Sequence, residues 1–289
     1  MNFSPIWSIS DTGARRLQSG MANMPRLVVE GAAATAARSG ESFQREGRFA
    51  IVNIIGPLQR GEDIFMRVFG GTAYTNIIRG VNDAARDEKI DAILLSVNSP
   101  GGSVDGLSDA ADAIKQARAV KPVIAQVMGE ANSAAYYLAS QAHEVYAHRG
   151  DMVGSVGTRL LLYDTSGAFA DAGIEPVLTD TGPYKTIGAD GVHITDEQKV
   201  ELRHMVNVYF EDFVEHVKSG RRMSEEQVRA VATGRIYIGQ EAVDAGLVDG
   251  IRSTADTVGA MSARSVAKSN RSARASGITR AVRISRILN

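Results

Sequence analysis

The sequence predicts an α/β fold with a largely parallel sheet core and flanking helices. Three observations predict it. Short apolar runs bounded by Gly, Pro or Asn alternate with longer segments of helical period. Two of those runs lead straight into turns rich in small residues that open a helix, as strand–helix crossovers do. The chain has 289 residues, 44% of them apolar, which is enough for one large core or two modest ones.

The elements follow in order. Residues 1–24 read as an amphipathic segment around Ile6, Trp7, Ile9 and Leu17, and the Ala/Gly/Ser-rich residues 31–47 read as a linker, so residues 1–47 precede the compact region. Phe49 to Ile55, stopped by Gly56-Pro57, is a buried strand. Apolar residues at 74, 77, 78, 81, 84 and 85 give a helix from Tyr74 to Arg86. Ile90 to Val97 is the next strand, and Leu107, Ala110, Ala111, Ile114 and Ala117 mark the next helix. Pro122 to Val127 is a third strand, and Ser133 to Ser140 starts a helix. Strands near Val145 and Leu160, a helix around Ala168 to Ala172 and a strand at Pro176 to Leu178 come next. Thr195 and Gln198 form a capping box for a long helix with apolar positions 202, 205, 206, 209, 210, 213 and 217. Ser224 and Gln227 repeat the signal for a shorter helix ending near Gly234. Residues 259–277, rich in Ser, Ala and Arg without an apolar period, are expected to be disordered, within a basic tail spanning 253–289. In that tail, residues 278–289 space Arg280, Arg283 and Arg286 three apart, as in a helix formed on a partner.

The overall charge of -1 hides an asymmetry: residues 252–289 carry +7 and residues 1–251 carry -8. Such a tail suits an acidic partner surface or the body of a neighbouring copy, with nucleic acid the less favoured partner. There is no cysteine, which excludes a thiol nucleophile, a disulfide frame and any Cys-based metal site. No stretch reaches the roughly 18 uncharged apolar residues of a membrane span, and Met1 to Asp11 lacks the pattern of a signal peptide. A cytoplasmic protein is expected.

Three segments can carry chemistry. Asn98-Ser99-Pro100-Gly101-Gly102-Ser103 joins a strand to a helix, and successive amides at such a turn form an anion-binding concavity. By itself it is also an ordinary tight turn. In Gly129-Glu130-Ala131-Asn132-Ser133-Ala134-Ala135-Tyr136-Tyr137, Ser133 stands where a helix begins, a position that serves a capping serine as well as a nucleophile. Gly182-Pro183-Tyr184-Lys185-Thr186 puts a lysine in a turn, where most lysines are simply solvated. A lysine acting as base must be neutral, and at an ordinary value of about 10.4 only roughly one in 2,500 is neutral at pH 7. Burial in an apolar site supplies the missing bias. The histidines, His143, His148, His193, His204 and His216, form no metal-ligand spacing, and no cofactor motif is present. Spacing alone leaves a Ser-His-Asp arrangement through His143 or His148 open.

Taken in order, Ser99-Pro100-Gly101-Gly102, Ser133-Ala134-Ala135-Tyr136-Tyr137-Leu138-Ala139-Ser140, Gly154-Ser155-Val156-Gly157, the Gly182/Tyr184/Lys185 turn and a closing segment from Gly234 to Asp249 resemble the signal peptide peptidase A family, the S49 serine peptidases. The resemblance spans roughly residues 48–252, taken as an S49-type peptidase domain. It implies a ClpP/crotonase-like fold and a Ser–Lys dyad, with Ser133 as nucleophile and Lys185 as general base. The Gly101 and Gly102 amides would hold the oxyanion, and Ser155 would support the lysine. It disfavours histidine, because Asp151 to Thr158, where Clp-type relatives carry theirs, has none. Asn132 departs from the small apolar residue common at that position.

Within the family the chain is most similar to phage-encoded prohead and capsid assembly proteases, through its single catalytic unit and its Trp7-Ser8-Ile9 segment. That implies an endopeptidase acting on scaffold or capsid protein in the host cytoplasm or prohead, and a homo-oligomer whose dyads can form between subunits. It also implies a capsid or portal contact through the basic tail, and no cofactor or metal. A cellular enzyme degrading signal peptides and a non-enzymatic assembly protein on the same fold are the alternatives.

Overall fold

The computed structural model describes residues 6–9, 42–62, 66 and 70–265, with backbone alone for 6–9. The alternation read from the sequence becomes a parallel sheet centre. Strands β3 (Phe49–Ile55), β6 (Ala92–Ser99) and β8 (Val123–Asn132) lie side by side and parallel. Pairing extends outward through β9 (Glu144–Ala147) and β10 (Met152–Gly154), both parallel to β8. The eight-stranded sheet is completed by β2 (Gln44–Glu46) on β3, β12 (Ile236–Ile238) on β10 and β13 (Gly250–Ile251) on β9. A second sheet of five short strands runs β11 (Arg159–Leu160), β1 (Ile6–Ile9), β7 (Gly101–Ser103), β4 (Leu58–Gln59) and β5 (Thr72–Ala73).

The period of two along β6 sorts side chains onto two faces. Ile93, Leu95 and Val97 join the large core. That core also holds Ile77, Val81 and Ala84 of helix α1 (Tyr74–Arg86) and Ala110, Ile114 and Ala117 of helix α2 (Leu107–Val120). Ala92 and Leu94 face the other way, with Phe49, Ile124 and Tyr146. That second face is covered by a C-terminal helix, α8, over residues 254–265, through Met261 and Val258.

Helix α8 corrects the expectation of disorder from residue 259. Thr257 and Met261, one turn apart, are buried on the sheet, and Thr257 Oγ1 donates to Gln126 Oε1 at 2.6 Å. The first basic residues of the tail are also engaged with the body. Arg252 lies 3.7 Å from the Tyr146 ring centre and Arg264 binds Glu144 at 2.9 Å. Residues 266–289 lie outside the described residues. At the other end, β2 pairs with β3, so the fold is already under way within the stretch read as a linker. Residues 6–9 form a strand, and the rest of the segment 1–24 lies outside the described residues.

Two further expectations are corrected. Pro176 to Leu178 is not a strand: no strand among the described residues pairs with it, and Val177 is 92% exposed. The long helix α5 (Asp196–Arg221) has the expected Thr195/Gln198 capping box, but its apolar face is buried only toward its end, at Phe213, Val214 and Val217. Val200, Met205, Val208 and Tyr209 are exposed. The helix overhangs the core by about half its length. Helices α4 (Ser166–Asp171) and α6 (Glu225–Val231, capped by Ser224) and α7 (Gln240–Asp244) fill the remaining connections.

Candidate active site

Ser133 occupies the single residue between β8 and the helix α3 (Ala134–Ala139). Its backbone has φ 55 and ψ -122, a region that costs a residue with a Cβ about 1–3 kcal/mol. The turn is held from both sides. The Ser133 N–H donates to Gly154 O at 2.7 Å, and its carbonyl accepts the first helical bond from Tyr137 at 2.9 Å. The following amides, beginning with Ala134, are first-turn donors with no acceptor in their own helix. The geometry is that of a nucleophile elbow, a sharp strand-to-helix turn presenting a serine. Ser133 is 1% exposed, yet it lines an open cleft of about 580 Å³.

The Gly154–Gly157 segment forms the facing wall. Ser155 also has positive φ, at 49, and its N–H is fixed by Arg235 O at 2.7 Å. Ser133 Oγ donates to the Gly157 carbonyl at 3.5 Å. The cleft continues past Thr158 and Arg159 to Asn207 and Phe210 of α5 and to Thr233 and Gly234. A second hollow of about 500 Å³ shares Arg159, Val206 and Asn207 with it. The cleft residues of α5 carry no motif; the helical period marks them only as one face.

The Gly101-Gly102 turn forms strand β7, which packs on helix α3. Gly101 has φ 101, and its N–H donates to Ser99 Oγ at 3.2 Å, so that amide is engaged. A Cβ at Gly102 would fall 1.9 Å from Leu58 O, which explains the second glycine. The sequence reading did not name the Ala134 amide, which adjoins Ser133 and belongs to the first-turn donors of the helix.

Lys185 is not brought into this cleft within one chain. It lies on an exposed turn, held by a bond from its N–H to Gly182 O at 3.0 Å, and is not among the residues lining the Ser133 cleft. Asn132 is buried next to Ser133. Its Nδ2 donates to Glu130 Oε2 at 3.0 Å, while its Oδ1 is buried with no partner among the described residues.

Within one chain the histidines stand away from the cleft. His148 is held between Asp151 at 2.9 Å and Thr254 at 3.2 Å. His143 Nδ1 accepts from the Val123 N–H, and burial, reinforced by Arg118, holds its pKa below the usual value. His193 pairs with Asp164. His216 stacks on Tyr137 with ring centres 4.4 Å apart and pairs with Asp212. His204 is exposed, and none of the five lines the cleft.

The fold and site together define a ClpP-like α/β protein with a serine raised on a strained strand–helix elbow over an open cleft. The family model for Peptidase family S49 matches residues 115–268, more than half of the chain, and the model for Clp protease matches residues 51–150. A Methanocaldococcus jannaschii protein that carries a protease name is 33% identical, covering 64% of this chain and 58% of its own. Capsid assembly protease C of Escherichia phage lambda is 30% identical, covering 81% of this chain and 55% of its own. Protease 4 of Salmonella typhi is 28% identical, covering 73% and 34%. The chain spans a little over half the length of the first two. The chain belongs to peptidase family S49.

Proposed function

We propose that the chain is a serine endopeptidase that processes scaffold or capsid protein during phage head maturation. The observation that carries the hydrolase reading is the conformation of Ser133, a strained backbone kept at a residue whose hydroxyl faces a cleft. The similarity to a phage capsid assembly protease supports the choice of substrate.

In this reading Ser133 Oγ attacks a peptide carbonyl and Lys185, neutral, takes its proton. The Gly102 and Ala134 amides hold the developing oxyanion, with Gly101 joining them if it leaves Ser99 Oγ. Lys185 then passes the proton to the leaving amine, and water releases the acyl group from Ser133. Lys185 reaches the nucleophile from a neighbouring copy. The exposed apolar side chains of the segment leading to it, Tyr163, Ile174, Val177, Leu178 and Tyr184, suit contact with that copy. Residues 266–289, with six of the tail's seven basic residues, contact the capsid or portal. Catalysis takes place in the host cytoplasm or the prohead.

The test is co-expression with neighbouring capsid proteins, wild type against Ser133→Ala, with mass spectrometry of the cut ends. Cut ends that persist in the variant overturn the nucleophile assignment. Mixing Ser133→Ala with Lys185→Ala restores activity if dyads form between copies. A fully active monomer overturns that arrangement.

A further inference from the structure

A slot one strand wide runs beside Ser133. One wall is β7, Gly101–Ser103, which packs on the nucleophile helix. The other is β11, Arg159–Leu160, whose Arg159 lines the cleft two residues beyond the Gly157 carbonyl that accepts from Ser133 Oγ. A single strand bridges the walls, so they stand about two strand spacings apart, roughly 9.6 Å.

The bridging strand comes from the chain itself. Ile6–Ile9 runs antiparallel to both walls, with Trp7, Ser8 and Ile9 opposite Ser103, Gly102 and Gly101, and with Ile6 and Trp7 opposite Leu160 and Arg159. Among the described residues β11 has no other strand partner. The short β11 and the glycine strand β7 are therefore joined into one sheet only by a segment more than 90 residues away from either in sequence. An edge with free backbone groups takes an extended peptide by main-chain hydrogen bonds, with little demand on its sequence. The place the N-terminal strand fills is thus of the kind an extended peptide pairs into, and Arg159 on one wall of it lines the Ser133 cleft.

We propose, resting on the peptidase reading above, that residues 6–9 are a self-ligand of the substrate slot. They compete with an incoming extended peptide for Gly101–Ser103 and Arg159–Leu160 and hold activity down until they are displaced. Tethering gives the self-strand a high effective concentration, so a modest intrinsic affinity suffices. Because the pairing is antiparallel and Ile9 faces Gly101, the chain leaves the slot at the end where the oxyanion donors stand.

The test uses the full chain and two variants, Ser8→Pro and a deletion of residues 2–12. Ser8 lies in a strand flanked on both sides, and proline there removes a donor and breaks the ladder. With fluorescein-labelled casein as substrate, kcat/KM rises at least about fivefold in both variants. A synthetic peptide of residues 1–13 inhibits the deletion variant competitively, and the same peptide with Ser8→Pro does not. Folded variants whose kcat/KM equals or falls below that of the full chain overturn the self-ligand and leave the peptidase reading standing. If no form cleaves, binding decides. Saturable binding of labelled 1–13 peptide to the deletion variant carrying Ser133→Ala upholds the slot while the hydrolase reading falls, and absence of binding overturns the slot itself.

Discussion

Two turns in this molecule have nearly the same backbone and opposite chemistry. At Gly239 a strand, Ile236–Ile238, passes into a helix, Gln240–Asp244, with φ 51 and ψ -114. At Ser133 a strand passes into a helix with φ 55 and ψ -122. The first turn uses glycine, and a Cβ there would also lie 2.1 Å from Arg149 O. The second carries a side chain in a conformation that glycine adopts at no such cost. Where only the fold is served, the residue that fits the backbone stands. Where the hydroxyl faces a cleft, strain of about 1–3 kcal/mol is tolerated. The difference marks the Ser133 turn, unlike the Gly239 turn, as one where a strained backbone is kept at a residue with a side chain that lines a cleft.

The comparison can be broken or sharpened by four measurements. The largest effect is on catalysis: Ser133→Ala lowers kcat/KM at least about ten-thousandfold with unfolding stability near wild type, read in a peptidase assay and a urea titration. Next comes Gly239→Ala, which destabilises by about 3 kcal/mol, since it meets both strain and the Arg149 carbonyl, while the Ser133 turn stays intact. An unchanged urea midpoint would remove the argument that this backbone selects glycine. Smaller is Ser133→Gly, which is inactive but more stable than Ser133→Ala by about 1 kcal/mol, because only glycine relieves the turn. If the two variants unfold together, Ser133 is not strained.

The smallest effect lies behind the nucleophile helix. Burial opposes charge on both His216 and Asp212. Hydrogen bonds to the Asp212 side chain and backbone, together with the nearby carboxylate charges, outweigh it and raise the pKa of His216, while bonds from His216 and Tyr137 lower that of Asp212. A raised histidine stabilises below its ordinary value of about 6.5, and that contribution is lost as pH climbs through the folded value. A lowered carboxyl stabilises above about 3.9, and its contribution is lost as pH falls through its folded value. The pair therefore acts between about pH 4 and about pH 6.5. The stability difference between wild type and His216→Asn shrinks by about 0.5 kcal/mol from about pH 5.5 to about pH 8.5. A difference that stays constant would mean the stack on Tyr137, rather than the charge, is what His216 supplies.

Much of the fold was legible. The strand Phe49–Ile55 and the helix Tyr74–Arg86 end where their apolar periods end, and both capping boxes form. These features are local, and the signal lies within one or two turns of chain. The errors lie where a partner decides. Pro176 to Leu178 has strand composition but no neighbour to pair with. Residues 254–265 have weak helical periodicity, yet they fold because the back of the sheet offers Phe49, Leu94 and Tyr146 to Met261. The closing Asp249 shows the same limit at the level of function. Its motif is conspicuous in sequence, but its carboxylate accepts from the Arg221 guanidinium at 2.8 and 2.9 Å and from the Val145 N–H at 2.6 Å, as a clamp between helix and strand.

The sequence by itself determined the order of most strands and helices and placed Ser133 between an apolar run and a helix start, where only its place among several motifs in order marks it as more than a capping serine. The tertiary structure alone decided the strain at Ser133, a result of Gly154 O and Tyr137 N–H gripping one residue from two sides. It alone assigned every histidine but the exposed His204 to a partner away from the cleft. It alone left Lys185 outside the cleft of its own chain and put residues 6–9 inside the slot. Those outcomes depend on which distant segments meet, and no local pattern of side chains encodes a meeting.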